Sequence, residues 1–290
     1  MCRMKLQKEI NRVCLFLLLP SLVGVLLFYI FPFIMSAYYA LIDNMVDKNF
    51  VGLENFTAIL QNRLFLRAAK NTAVFIGISV PLSMLSSLLF AMGLKNMKRG
   101  RTFASLGLLF PIIVPSGTIV YFWKIIFDSN GLINKLLADF GFETRDFSRG
   151  WLSMAVIIIA FLWKNVGYNV VLFWSGLNWI PQIYYEVYGL EGGNKWQQFK
   201  AITWVYLSPT TFVVLLMSIA NSFKVYKEVY LLYGAYPTSE IYMLQHYMNN
   251  QFQSLNMQKL CSAAYIMFLV ISVVLLVLFY AQKKISDSYQ

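Results

Sequence analysis

Six long apolar stretches alternate with polar segments along the chain. They cover residues 13–40, 72–94, 103–127, 152–177, 210–233 and 259–280. As a helix, each is long enough to cross the apolar core of a bilayer, which takes about 20 residues. The first is longer than the apolar region of a signal peptide and lacks a small-residue cleavage site, so it predicts an uncleaved span. The pattern predicts an all-α membrane protein with six transmembrane helices in one domain over residues 1–290.

A further segment, residues 50–70, is too polar to cross a membrane but has apolar residues at helical spacing. These are Leu53, Phe56, Ile59, Leu60 and Leu64. Such a pattern is typical of an amphipathic helix that lies along the membrane surface. We therefore expect this segment to lie on the outer face of the bilayer.

The polar interval 181–209, between the fourth and fifth spans, predicts two short helices joined by a tight turn. Pro181 suits the first helical position. Gly192 and Gly193 end that helix, because glycine reaches positive φ without a Cβ clash. Asn194 and Gln197 then have the spacing of a capping box. The interval predicts a mechanical contact with a partner protein.

Each helix of this interval has an apolar face at helical spacing. On the first helix the face consists of Ile183, Tyr184, Val187 and Leu190. On the second it is predicted to be one stripe of Trp196, Phe199, Ile202 or Thr203, and Tyr206. Around the tip, we expect Glu186, Glu191 and Lys195 to be presented.

Composition and charge agree with a membrane protein. Of 290 residues, 59% are hydrophobic and 13% charged, while the formal net charge is +11. The basic residues lie beside the spans. Lys95, Lys98, Arg99 and Arg101, with no acid among them, mark the loop after the second span as cytoplasmic. The same rule predicts cytoplasmic N- and C-termini. Because the basic residues lie beside the spans, no basic soluble domain is left to bind nucleic acid.

Polar residues inside the fourth and fifth spans are candidate pathway residues. They are Lys164, Asn165, Tyr168, Asn169, Asn221, Lys224 and Glu228. Charges at membrane depth face protein or a water-filled cavity, and hydroxyls, amides and aromatic rings are the groups that a site for a polar solute such as a sugar would use. The alternative is hydrogen bonding between packed helices, including a Lys224–Glu228 pair at spacing i, i+4.

Sequence motifs for chemistry are missing. There is one histidine, no G-x-S-x-G, no nucleotide-binding glycine loop, and no metal-ligand spacing among the three cysteines. We expect a non-catalytic chain with no metal or cofactor of its own, so that any energy for uphill transport comes from another chain. A membrane-embedded enzyme using Lys164 or Lys224–Glu228, and a self-sufficient carrier, are the alternatives.

Segment 177–209, LNWIPQIYYEVYGLEGGNKWQQFKAITWVYLSP, resembles the EAA loop of the permease subunits of bacterial ABC importers, in the sugar-uptake branch. Matching positions are Ile180-Pro181, Tyr185-Glu186, Gly192, Trp196, Phe199, Ile202-Thr203 and Pro209. The likeness extends over nearly the whole chain, to the first of two paired sugar permeases. It includes FVGLENF (50–56), KNTAVFIGISVPL (70–82), GLLFPIIVPS (107–116), GLIN (131–134) and SFKVYKEVYLL (222–232).

Departures from the family pattern lie at the small residues of the loop. Glu186-Val187-Tyr188 stands where the family has Glu-Ala-Ala, and Glu191-Gly192-Gly193 where it has Asp-Gly-Ala. An expected proline is Val205. The turn glycine and the acids are kept, so we expect docking to be retained. The groove met by residues 187 and 188 is expected to be reshaped around bulkier side chains.

The resemblance implies a type I importer-like permease with a cytoplasmic coupling helix in a bacterial plasma membrane. Implied partners are a second permease in a heterodimer, a cytosolic ATPase dimer that binds ATP and magnesium, an extracytoplasmic solute-binding protein, and membrane lipid. The substrate would be a sugar or oligosaccharide, with glycerol phosphate or another polar solute as the alternative. Residues implied in ATPase coupling are Glu186, Glu191, Gly192, Gly193, Lys195 and Trp196.

Overall fold

The computed structural model describes residues 2–287, and side-chain surroundings for residues 14–115 and 117–284. The first seven helices are α1 (Cys2–Val25), α2 (Phe31–Ala40), α3 (Glu54–Leu60), α4 (Arg63–Asn96), α5 (Arg101–Ile113), α6 (Ser116–Phe127) and α7 (Leu132–Asp139). The others are α8 (Gly150–Asn178), α9 (Gln182–Leu190), α10 (Lys195–Gln198), α11 (Trp204–Lys224), α12 (Tyr226–Tyr233), α13 (Leu244–Gln253) and α14 (Met257–Asp287).

Two π-helical turns interrupt these helices. Leu26–Ile30 lies between α1 and α2, and Phe199–Thr203 lies between α10 and α11. Within residues 2–287 the one β pairing is an isolated antiparallel bridge between Ile42 and Phe50. The predicted all-α fold class is confirmed.

Five described helices are long and apolar enough to cross a membrane. They cover Cys14–Ala40, Arg63–Asn96, Gly150–Asn178, Lys195–Tyr233 and Met257–Lys284. The count rises to six if Arg101–Ile113 and Gly117–Asp139, which meet at 100°, form one span. The predicted third span, 103–127, is therefore two helices. Val114 and Pro115 between them have extended ψ angles of 127° and 140°, and Pro115 has no N–H to continue a helical ladder.

The predicted surface helix over residues 50–70 is wrong in extent. Only α3 forms a separate helix there, and residues 63–70 are the beginning of the long helix α4. Sequence pattern could not find this division, because apolar residues at helical spacing continue across the break at Gln61 and Asn62.

The chain divides into two compact units. The first comprises residues 1–62 and 251–270. Within it, the Asn55 amide donates to the carbonyls of Ala40 and Ile42, at 3.0 and 2.8 Å. The Phe33 ring lies 5.0 Å from the Tyr265 ring, and the Tyr265 hydroxyl donates to the Phe33 carbonyl at 2.5 Å. These contacts hold α2 to the beginning of α14 and to the turn before α3.

The second unit comprises residues 63–250 and 271–290. Its centre is α8, against which α4, α5 and α11 pack. Small residues let these helices approach closely, as is usual where packing replaces the hydrophobic effect in lipid. Ser79, Ser83 and Ser87 form a fully buried stripe on α4. A Cβ atom at Gly167 of α8 would lie 1.7 Å from the carbonyl oxygen of Leu108 on α5.

Candidate functional site

A cavity of about 350 Å³ lies inside the second unit, where α8 faces α11 and α12. Its wall is mostly apolar and includes Ile157, Phe161 and Met217. Such a wall with a few convergent polar groups is typical of small-molecule sites. The polar residues in the wall are Lys164, Asn165, Tyr168, Asn221, Lys224 and Glu228. Six of the seven predicted pathway residues thus come together in one cavity.

An ion pair joins Lys164 of α8 to Glu228 of α12 in the cavity wall. The predicted internal pair of Lys224 with Glu228 is wrong. The regular helix is interrupted at Val225, between α11 and α12, so the i, i+4 geometry assumed for one continuous helix does not hold. Lys224 instead donates to the side-chain oxygen of Asn221 at 2.9 Å.

Two further polar side chains of α8 face the same cavity. The Asn165 amide nitrogen donates to the carbonyl of Phe161 on its own helix, at 2.9 Å. Tyr168 is 38% exposed, and its hydroxyl makes no hydrogen bond within the part of the chain described. An amide oxygen and a phenol are therefore offered to the cavity beside the ion pair. Such groups can bind hydroxyls of a solute, and the ring offers a face to its C–H surface.

Asn169 lies apart from the cavity and connects three helices. Its amide nitrogen is within hydrogen-bonding distance of the Ser83 hydroxyl of α4, at 3.1 Å, and of the Ser218 hydroxyl of α11, at 2.9 Å. The residue is 1% exposed. This geometry supports helix packing rather than solute contact for Asn169.

Residues 181–209 form two helices and a turn. Pro181 is the N-cap of α9 rather than its first helical residue. Gly192 has a φ of +84°. This is the left-handed region, which glycine commonly adopts at the end of a helix. A Cβ at Gly193 would lie 2.2 Å from the Tyr188 ring. The predicted capping box is confirmed: the Gln197 backbone N–H donates to the Asn194 side chain at 2.9 Å, and the Asn194 backbone N–H donates to the Gln197 side chain at 2.8 Å.

The second helix does not have the single apolar stripe that its sequence predicts. Ile202 and Thr203 are both buried, at 6% and 5% exposure, whereas Trp196 is 71% exposed and Tyr206 is 48% exposed. The physical reason is the π-helical turn Phe199–Thr203. A π turn contains more residues than an α turn, so the two flanking helices do not share one 3.6-residue register.

The predicted coupling residues lie at the tip of this interval. Glu186, Glu191, Gly192, Lys195 and Trp196 are exposed, and Gly193 is half-buried. Tyr188 differs from the expectation that it meets a partner's groove. Its ring is half-buried against the chain's own apolar core, because the missing side chain of Gly193 leaves room for it. Val187, at 47% exposure, does face outward.

Three contacts that the sequence pattern does not reveal hold this interval to the ends of α4 and α8. The Lys95 ammonium donates to the Leu177 carbonyl at 3.0 Å and lies 5.0 Å from the centre of the Tyr185 ring. The Tyr185 hydroxyl is 2.9 Å from the Thr203 hydroxyl. The sequence shows Lys95 only as part of a basic loop, since these contacts join residues far apart in the chain. They connect the tip to the helix that carries the cavity.

The chain is similar in sequence to known transport proteins. No family model matches the chain. It is 30% identical over 231 residues to the trehalose/maltose transport system permease protein MalF of Thermococcus litoralis, covering 76% of this chain and 77% of MalF. It is 28% identical over 218 residues to the sn-glycerol-3-phosphate transport system permease protein UgpA of Rhizobium meliloti, covering 73% of this chain and 74% of UgpA.

A solved structure shares the fold over nearly the full length. A chain of the bacterial alginate ABC transporter, crystallised in complex with an alginate pentasaccharide-bound periplasmic protein, matches with a TM-score of 0.79 and 22% identity. The match covers 96% of each chain. The spans and this shared fold indicate a multi-pass membrane protein. The similarity to MalF shows that the chain belongs to the family of carbohydrate ABC importer permeases.

Proposed function

We propose that this chain carries a sugar or oligosaccharide across the membrane through the cavity of Lys164, Asn165, Tyr168, Asn221, Lys224 and Glu228. The observation that carries the proposal is the convergence of these side chains in one cavity of about 350 Å³. Polar groups at membrane depth are costly unless they serve protein contacts or a pathway. Lys164 and Glu228 satisfy each other, and the Asn221 oxygen accepts from Lys224, while the Tyr168 hydroxyl is left to meet a solute.

The tip of residues 181–209 is the proposed contact with a cytosolic ATPase. Its outward face is apolar, with Leu190 89% exposed and Trp196 71% exposed, and it also has the exposed carboxylates of Glu186 and Glu191. An exposed apolar patch bordered by polar groups is typical of a protein-binding surface. The contacts of Lys95 and Tyr185 would transmit a movement of the tip to α4 and α8.

The complete importer would contain a second permease, an ATPase dimer that binds ATP and magnesium, and an extracytoplasmic solute-binding protein. The alginate transporter crystallised with its periplasmic protein supports the last of these partners. This chain would hydrolyse nothing, bind no cofactor of its own, and have both termini in the cytoplasm. UgpA supports a polar solute such as glycerol phosphate as a second candidate.

Transport by the complex with Tyr168→Ala tests the pathway. We expect uptake to fall while the second permease and the ATPase still co-purify in mild detergent. Tyr121→Ala is the matched control, because Tyr121 is 69% exposed on α6 and is not among the cavity-lining residues. Unchanged uptake with Tyr168→Ala, or purification of the chain without any partner, would contradict the proposal.

A further inference from the structure

Positive charge exceeds negative charge in the cavity wall. The charged residues there are Lys164, Lys224 and Glu228. Glu228 is paired with Lys164, whereas Lys224 donates to the neutral side chain of Asn221 at 2.9 Å. Among the described residues, no carboxylate lies within ion-pair distance of the Lys224 ammonium. One lysine of the wall therefore has no carboxylate partner.

An adjoining cavity of about 430 Å³ increases this excess. It shares Lys164, Lys224 and Glu228 with the first cavity and adds Lys227. Three lysines thus surround one carboxylate over the two cavities. Lys164 is on α8, whereas Lys224 and Lys227 lie three residues apart, at the end of α11 and the beginning of α12. The excess thus combines two separate parts of the chain.

The excess is not found in every cavity of the unit. A third cavity, of about 310 Å³, is lined by Lys124, Asp128 and Asp146. Asp146 is 3.3 Å from the Arg149 guanidinium, so basic and acidic groups are balanced around that cavity. A cavity of about 500 Å³ beside residues 181–209 also has lysines without a carboxylate, Lys95 and Lys195. An excess of positive charge is therefore present in the proposed pathway but is not peculiar to it.

We propose that the transported solute carries a negative group, a carboxylate or a phosphate on a sugar, and that Lys224 binds it. This inference rests on the proposed function of the cavity. Lys224 is exposed in this chain, so its ammonium can reach a solute. Between apolar walls at membrane depth, an ammonium attracts an anion more strongly than it would in bulk water. Hydrogen bonds to charged groups are also stronger than neutral ones. Asn221 holds the Lys224 ammonium at the cavity, and the Lys164–Glu228 pair contributes hydrogen-bonding groups without net charge.

Substrate depletion tests the class of solute. Cells that contain the complete importer, with the gene for this chain deleted or restored, are given an equimolar mixture of galacturonate oligosaccharides, their carboxyl-reduced neutral counterparts, hexose phosphates and glycerol phosphate. Mass spectrometry then measures which compounds disappear from the medium only when the chain is present. We expect only carboxylated or phosphorylated compounds to disappear, and their masses distinguish the two anionic groups.

The other outcomes separate this inference from the proposed function. Depletion of neutral sugars, alone or equally with anionic ones, overturns the anionic class and leaves the permease function standing. Depletion of nothing in the mixture overturns both.

A lysine variant then tests the role of Lys224. Lys224→Gln should lower the initial uptake rate of the depleted anionic compound by about tenfold or more, as expected for a lost charged hydrogen bond. The matched control Lys135→Gln changes an exposed lysine of α7 that lines none of these cavities, and should stay within about twofold. If Lys224→Gln lowers the yield of assembled complex but leaves uptake per complex unchanged, Lys224 serves assembly and the inference is overturned.

Discussion

Lys164 and Glu228 form an ion pair across 64 residues of sequence, joining the middle of α8 to the first turn of α12. The pair lies in a largely apolar wall, with side-chain exposures of 30% and 10%. A carboxylate in the first turn of a helix is also favoured by the helix dipole. The pair fixes the position of α12 relative to α8 beside the proposed pathway.

Breaking this pair from either side should destabilise the protein. Glu228→Gln or Lys164→Gln leaves a charge without its partner, which we expect to cost about 1–3 kcal/mol, less than for a fully buried pair because Lys164 is partly exposed. The double variant should lose less than the sum of the two single variants. Thermal unfolding of the purified complex measures all three. Strict additivity would contradict a direct interaction.

Gly167→Ala should disrupt the packing of α5 on α8. The added Cβ would lie 1.7 Å from the Leu108 carbonyl oxygen, so a backbone must move, at a cost of about 3 kcal/mol or more. Gly107→Ala is the matched control, since a Cβ at that neighbouring position of α5 has open space. The yield and melting temperature of the purified complex distinguish the two. Equal values for both variants would contradict the close approach.

Asn169→Leu should reduce stability without changing solute affinity. It removes the amide contacts to Ser83 and Ser218, which for helices in membranes are worth about 1–2 kcal/mol. Asn165→Ala should change solute affinity and leave stability nearly unchanged. Asn165 lines the cavity, and its hydrogen bond is within its own helix. Melting temperature and the solute concentration at half-maximal uptake separate the two effects. A changed half-saturation with Asn169→Leu would make Asn169 part of the pathway.

Gly193→Ala should uncouple ATP hydrolysis from transport more severely than Gly192→Ala. The first adds a Cβ 2.2 Å from the Tyr188 ring. In Gly192→Ala the added Cβ has open space, and the backbone φ is +84°. The only cost is then the strain of this φ, about 1–2 kcal/mol for a residue with a side chain. The ratio of ATP hydrolysed to solute transported in reconstituted complex measures coupling. Replacing Tyr188 by a smaller residue should partly rescue Gly193→Ala, and failure of that rescue would indicate another cause.

Acid should destabilise the region around His246. This residue is fully buried on α13, with its ring 4.7 Å from the Tyr226 ring, and burial lowers the pKa of His246 from 6.5 to about 4. Below pH 6.5 the unfolded chain therefore binds a proton at His246, whereas the folded chain does not bind this proton until the pH falls to about 4. Stability is lost as pH falls through this window, by up to about 3 kcal/mol.

Thermal unfolding at a series of pH values tests this linkage. His246→Gln should flatten the dependence between pH 6.5 and pH 4, whatever its effect on absolute stability. An unchanged slope in the variant would assign the pH dependence to other groups.

Local features of the structure could be predicted from the sequence, because they depend on neighbouring residues. The Asn194–Gln197 capping box needs only a spacing of three residues, and the spans need only apolar length. The cavity could be predicted in part, because polar residues at membrane depth identified its wall. The pairing among these residues could not be predicted. The Lys164–Glu228 pair depends on the helix break at Val225, and the role of Asn169 depends on serines of two other helices.

The π-helical turn Phe199–Thr203 also determines the direction in which the exposed tip of residues 181–209 points. Successive residues of an α-helix are about 100° apart around the axis, and a π turn holds one residue beyond an α turn. Deleting one residue in this turn would leave a regular helix and rotate Trp196 by about 100° relative to α11. The direction in which the tip meets its partner is therefore encoded by the number of residues in the segment, and not only by their chemical character.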